Sequence, residues 1–91
     1  MRGSALVAGT AGALALSGPA TIYGYSVREI AGTPAVASLV LRNGTSVAGP
    51  PVVFITLVAS EARTITLPEI DCPNGVYVDR LAGTTEIVLY T

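Results

Sequence analysis

Glu69 and Asp71 stand two residues apart, the tightest pair of acids in the 91-residue chain. In extended backbone such positions share a face, so both carboxylates point the same way. A pair of this kind can serve as acid and base on a glycosidic bond or hold Ca²⁺. No third acid and no glycine-rich loop pattern accompanies it, so a solvated loop is the expected state. Cys72 follows as the only cysteine, and the chain has no histidine. A thiol nucleophile needs an activating base. Cys72 has no imidazole to supply one and precedes Pro73, so it reads as a small apolar filler. One thiol without histidine also makes a dedicated zinc site untenable. No catalytic, cofactor-binding or metal-ligating residue is assigned, and the chain reads as a non-enzyme without a cofactor.

The four tyrosines, Tyr23, Tyr25, Tyr77 and Tyr90, allow two readings. Gathered on a surface they would form a platform for sugar or single-stranded nucleic acid. Placed in a core, each buries its ring and sends its hydroxyl to the rim. The chain has no tryptophan, and Tyr77 and Tyr90 sit among core-type residues, which favours the second reading. Net charge is −1, with five arginines and no lysine scattered singly. Phosphate neutralisation needs clustered cations, so no nucleic-acid partner is expected.

The elements that must position these residues are short strands. Thr21–Ile30 alternates, with Tyr23, Tyr25 and Val27 on the expected inner face, and Gly24 suggests a bulge or a close backbone approach. Ala35–Arg42 follows the turn at Ala31–Pro34. Asn43-Gly44 is a hairpin signal, although the next run begins only after Pro50, so a longer loop is also open. Val52–Ala59 is apolar on both faces, which predicts a central strand or one in an interface. Thr64–Leu67 reads as a short strand stopped by Pro68, and Glu69–Gly75 as an irregular connection. Val76–Leu81 and Thr85–Tyr90 close the chain around a tight turn at Gly83-Thr84. No run has a 3.6-residue period. The spacing predicts an all-β fold, a small antiparallel β-sandwich or barrel of about six strands.

Met1–Ser17 stands apart. It could be read as a signal peptide, with Arg2 before an apolar run, but its glycines weaken that run. It is too short and interrupted to cross a membrane as a helix, and no membrane partner is expected. Ala5–Ala8 and Ala13–Leu16 are each long enough for a strand, either on the edge of the chain's own domain or on a neighbouring chain. The organisation expected is an extended apolar N-terminal arm over residues 1–17 and a sandwich over 18–91. Half of the residues are apolar and 12 % are charged, against roughly 25 % in a typical soluble domain. A surface that poor in charge favours association. The candidate interface residues are Ala5, Leu6, Val7, Leu14 and Leu16 in the arm, with Arg28 and Glu29 in the first domain strand.

The phrase Gly18-Pro-Ala-Thr-Ile-Tyr-Gly-Tyr-Ser-Val-Arg-Glu29, followed by Pro34-Ala-Val-Ala-Ser-Leu-Val-Leu-Arg-Asn-Gly44, resembles a group of small tailed-bacteriophage virion proteins. Pro73-Asn-Gly-Val-Tyr-Val-Asp79 and Glu86-Ile-Val-Leu-Tyr90 are similar to the later strands of that group. The likeness covers Gly18 to Thr91 and is thin between Pro50 and Asp71. It implies a structural component of a phage particle, a capsid decoration or cement protein on the virion surface. Its implied partners are the major capsid protein or other virion proteins, and copies of itself as a homo-oligomer, with a trimer favoured. A tail- or portal-associated virion protein and a secreted module binding carbohydrate or protein are the alternatives.

Overall fold

The structure, a computed structural model, describes residues 3–91, with side chains from residue 7 onward. Eight strands account for most of it: β1 (Gly3–Gly9), β2 (Ala13–Leu16), β3 (Ala20–Glu29), β4 (Ala37–Asn43), β5 (Pro51–Leu57), β6 (Ala62–Cys72), β7 (Val76–Ala82) and β8 (Thr85–Tyr90). They form two antiparallel sheets of four, in the orders β1-β8-β3-β6 (sheet A) and β2-β7-β4-β5 (sheet B). The chain is therefore an all-β sandwich. No helix among the described residues is long and apolar enough to cross a membrane.

Alternation builds the core. In β4, Ala37, Leu39 and Leu41 point inward, and each is at most 1 % exposed. They meet Ile55 and Leu57 of β5, Val76 and Val78 of β7, and Ile22, Tyr25, Val27, Ile87 and Leu89 of sheet A. Cys72 is buried in the same cluster. Burial raises its thiol pKa, and the charge of Asp71 raises it further. That is the state of an inert filler.

The chain crosses between the sheets at every connection except one. Only β4 and β5 are successive partners within a sheet. Asn43-Gly44 thus begins a long loop, closed by Asn43 N–H donating to Pro50 O at 2.9 Å. Its asparagine also reaches the second Asn-Gly pair. Asn43 Oδ1 accepts from Asn74 N–H at 3.1 Å, and Gly44 N–H donates to Gly75 O at 3.1 Å. Gly75 has φ +101°, and a Cβ there would collide with Leu16 O. Only glycine meets both demands.

Three sequence expectations change. In β3, both Ile22 and Tyr25 face the core although three residues apart, and Tyr23 is only half-buried. The reason is a bulge: Ile22 pairs with Ile70 and Gly24 with Thr66, so Tyr23 stands against Leu67, Pro68 and Glu69. A bulge resets which residues face in. Gly24 is required there, because a Cβ would lie 2.5 Å from Ile65 O. Secondly, β6 does not stop at Pro68; it runs eleven residues to Cys72. Proline is tolerated because β6 is an edge strand and Pro68 lies in the bulge. Thirdly, β5 is not central within the chain but is the outer edge of sheet B.

The segment before residue 18 is extended, as two strands on the chain's own sheets. β1 pairs with β8, from Gly3↔Tyr90 to Gly9↔Thr85, and β2 pairs with β7 through Ala13↔Val78, Leu14↔Tyr77 and Leu16↔Val76.

Candidate interaction surface

The two outer faces of the sandwich differ in chemistry. On sheet A the outward residues include Ser26, Arg28, Thr64, Thr66, Glu86 and Tyr90. Their polar groups are largely spent on one another. Ser26 Oγ lies 2.9 Å from Thr64 Oγ1 and 2.6 Å from the Tyr90 hydroxyl. Arg28 Nε donates to Glu86 Oε1 at 2.8 Å. An open recess of about 120 Å³ lies among Ser26, Arg28, Thr64 and Glu86, but these internal pairings leave few groups to orient a ligand.

Sheet B mixes polar residues outside, Ser38, Thr56, Arg42 and Asp79, with large apolar ones. Phe54 on edge strand β5 is 75 % exposed. Its cross-strand neighbour Val40 also faces outward yet is buried by the residues around it. The β4–β5 register, continued one residue past Ala37↔Leu57, sets Val36 beside Val58 on the same side. Leu81 of β7 and Leu14 of β2 share this face. Five of the seven large apolar side chains exposed among the described residues thus lie on one surface: Leu14, Val36, Phe54, Val58 and Leu81. The charged pair within it is neutral overall. Arg42 Nε donates to Asp79 Oδ2 at 2.9 Å, and Arg42 Nη1 to Gly49 O at 3.0 Å. Single exposed apolar residues are ordinary, whereas most of them gathered on one side of the molecule make that side a candidate docking surface.

Two arginines close the sides of the sandwich. On the side where β5 and β6 run, Arg63 Nη2 donates to Thr56 O at 3.2 Å across the gap between sheets, and to Glu61 Oε2 at 2.6 Å. Glu61 in turn accepts from Val58 N–H at 2.9 Å, and its carboxyl is held below its ordinary pKa by that bond and by Arg63. On the opposite side, Arg80 points into the sandwich from β7 and is 9 % exposed. Its Nε donates to Thr85 Oγ1 at 2.9 Å, Nη1 to Ala11 O at 2.7 Å, and Nη2 to Val7 O at 2.9 Å and Thr85 O at 3.2 Å. Burial lowers its pKa, but a guanidinium stays charged at neutral pH. Its partners are neutral oxygens, and it belongs to none of the ion pairs found among the described residues. Neither arginine stands out in the sequence. The one signal for Arg80 is its place in phase with inward Val76 and Val78.

The residues singled out from sequence are dispersed. Arg28 and Glu29, neighbours in β3, face opposite ways. Arg28 is on the sheet A surface, paired with Glu86. Glu29 is 6 % exposed and ties loops together: Oε1 accepts from Ser60 N–H and Oε2 from Ala31 N–H, each at 2.8 Å. Those bonds, from Ser60 first and Ala31 second, hold its carboxyl below its ordinary pKa. Ser60 needs the tether, since its φ is +60°. In the N-terminal segment, Val7, Leu16 and Ala15 pack against the core while Leu14 is exposed on sheet B. The backbones of Ala5 and Leu6 pair with Leu89 and Val88, and their side chains lie outside the described residues. Tyr25 is in the core, Tyr77 on sheet B, Tyr90 on sheet A and Tyr23 in the bulge, so no common platform forms. Glu69 and Asp71 are both exposed on β6, with Asp71 Oδ1 accepting from Thr21 Oγ1 at 2.9 Å. Among the described residues no group of three potential metal ligands occurs.

No protein-family model, curated protein or solved structure matches the chain.

Proposed function

We propose that this chain is a structural component of a bacteriophage particle, a decoration protein that docks on the major capsid protein and stabilises the shell. The observation that carries the reading is the outer face of sheet B. Leu14, Val36, Phe54, Val58 and Leu81 crowd onto one surface, while the opposite surface is hydroxyl-rich. A protein whose large exposed apolar side chains gather on one side is suited to lie with that side on a larger body. The resemblance of Gly18–Thr91 to small phage virion proteins supplies the identity of that body. The exposed apolar side chains offer affinity through burial, at roughly 25 cal/mol per Å².

Mass spectrometry of purified particles tests this. The expected result is the chain in a fixed ratio to the major capsid protein, lost together with it when capsids are separated from tails. Its absence from particles, or its recovery only with isolated tails, overturns the proposal.

A further inference from the structure

Leu14, Phe54 and Leu81 are held by strands, but Val36 and Val58 stand outside any strand. Val36 ends the segment 30–36 between β3 and β4, and Val58 opens the turn 58–61 between β5 and β6. Both are more than half exposed, so core packing does little to fix them. What the two segments share is Glu29, the last residue of β3. Its side chain is 6 % exposed and points at main-chain amides of both. Oε1 accepts from Ser60 N–H and Oε2 from Ala31 N–H, each at 2.8 Å, and the Ala35 amide adds a smaller pull on the same carboxyl. The Glu29 main-chain N–H donates to Glu61 O at 2.9 Å. The turn also has a clasp of its own, Val58 N–H on Glu61 Oε1 at 2.9 Å and Glu61 N–H on Val58 O at 3.1 Å. That clasp stays within the turn, whereas the two oxygens of Glu29 bridge the turn to the 30–36 segment. A carboxylate suits this place, because it accepts through both oxygens and its bonds to amides are strengthened by charge.

Resting on the docking reading above, we propose that Glu29 is the positioning residue of the docking side: its carboxylate holds the 30–36 and 58–61 segments together, so that Val36 and Val58 stand side by side and meet the partner as one pre-ordered corner. Glu29 itself is buried and does not touch the partner. It acts through the two valines. Groups already ordered before association cost less to bind than groups ordered on contact. Without the carboxylate the corner is in place for only part of the time, and the apparent affinity falls by that fraction. Glutamine cannot replace it, because its amide has one acceptor oxygen and turns an NH₂ donor toward the second N–H.

The test is a mutant cycle on the full chain, read as re-binding to particles stripped of it across a concentration series. Glu29→Gln should weaken binding by about threefold to tenfold. In a background already carrying Val36→Ala and Val58→Ala, the same substitution should change binding by less than about twofold, because the groups through which Glu29 acts are gone. An equal loss in both backgrounds overturns the proposal, since Glu29 would then act through general stability or by direct contact. A parent that binds while Glu29→Gln binds equally well overturns the positioning role alone. A parent that does not bind overturns the docking reading and this role with it. The free chain gives a second readout without particles. Methyl NOE contacts between Val36 and Val58 should be present in the parent at about pH 7, where the carboxyl is ionised, and should weaken in Glu29→Gln, while those between the cross-strand pair Leu39 and Ile55 stay as they were. A Val36–Val58 contact of undiminished strength in a folded Glu29→Gln overturns the proposal.

Discussion

At the scale of single residues, the polar groups that matter most act on backbone, not on a ligand. Arg80 spends its guanidinium on two carbonyls of the N-terminal segment and on both oxygens of Thr85. Arg80→Met keeps much of the apolar stem and removes the donors, leaving the buried Thr85 oxygens and the part-buried Val7 and Ala11 bonds without their partner. The expected loss is about 1–3 kcal/mol, read as a lower urea midpoint, with hydrogen-exchange protection falling first in β1. An unchanged midpoint would show that the ladders alone hold the segment. Glu29 gives a pH signature. Its carboxyl is depressed by the Ser60 and Ala31 amides, so the folded state binds its proton less readily than the unfolded state does. Its contribution is therefore complete above the unfolded value of about 4.3 and is lost as pH falls through the lower folded value. Glu29→Gln should be less stable than the parent at about pH 7, and the two should converge at about pH 2, where the carboxyl is neutral in both states. A gap of the same size at both pH values would refute the tether. The alternation that sets Tyr25 and Val27 inward sets Glu29 inward too, whereas the amides it meets there, Ser60 and Ala31, come from loops that sequence alone does not place.

At the scale of elements, the legible strands were those with uninterrupted alternation. Thr85–Tyr90 is predicted with the same bounds as observed, and Val76–Leu81 is one residue short of β7. The illegible ones broke a local rule for a reason only the sheet supplies. Pro68 reads as a stop, yet its missing N–H costs little in an edge strand where three residues already bulge against one. Val52–Ala59 reads as central or as part of an interface because both faces are apolar; it is an edge strand, with Phe54 projecting outward. Gly24 reconciles the bulge with the ladder. Gly24→Ala would drive a methyl group to 2.5 Å from Ile65 O, a backbone atom with little room to yield. The expected cost is about 1–3 kcal/mol, seen as a lowered thermal midpoint. Gly18→Ala, in open space, is the control and should stay within about 0.5 kcal/mol of the parent.

At the scale of the whole molecule, strand content and sandwich class follow from period-2 alternation and turn residues, but sheet membership does not. Gly83-Thr84 reads as a tight turn, and it carries the chain from sheet B to sheet A rather than to a neighbouring strand of one sheet. Local sequence cannot distinguish those outcomes, because the choice depends on where strands distant in sequence pair. The same blindness hid the apolar surface. Leu14, Val36, Phe54, Val58 and Leu81 come from four strands and their margins, and only the register β2-β7-β4-β5 brings them onto one face. Phe54 is the residue on which that surface can be tested, because it contributes little to the fold. At 75 % exposure, Phe54→Glu should shift stability by no more than about 0.5–1 kcal/mol, so its circular dichroism and melting stay close to the parent. Burying a phenylalanine in an interface contributes about 1.5–3 kcal/mol, and a glutamate there would add an unpaired charge to be desolvated. Association through this face should therefore weaken by at least about tenfold to a hundredfold, measured as occupancy on particles stripped of the chain and re-bound across a concentration series. The matched control is Thr66→Glu on the hydroxyl-rich face, which should bind as the parent does. If Phe54→Glu binds normally and Thr66→Glu does not, the chain lies on its partner by sheet A, and the apolar face is turned outward.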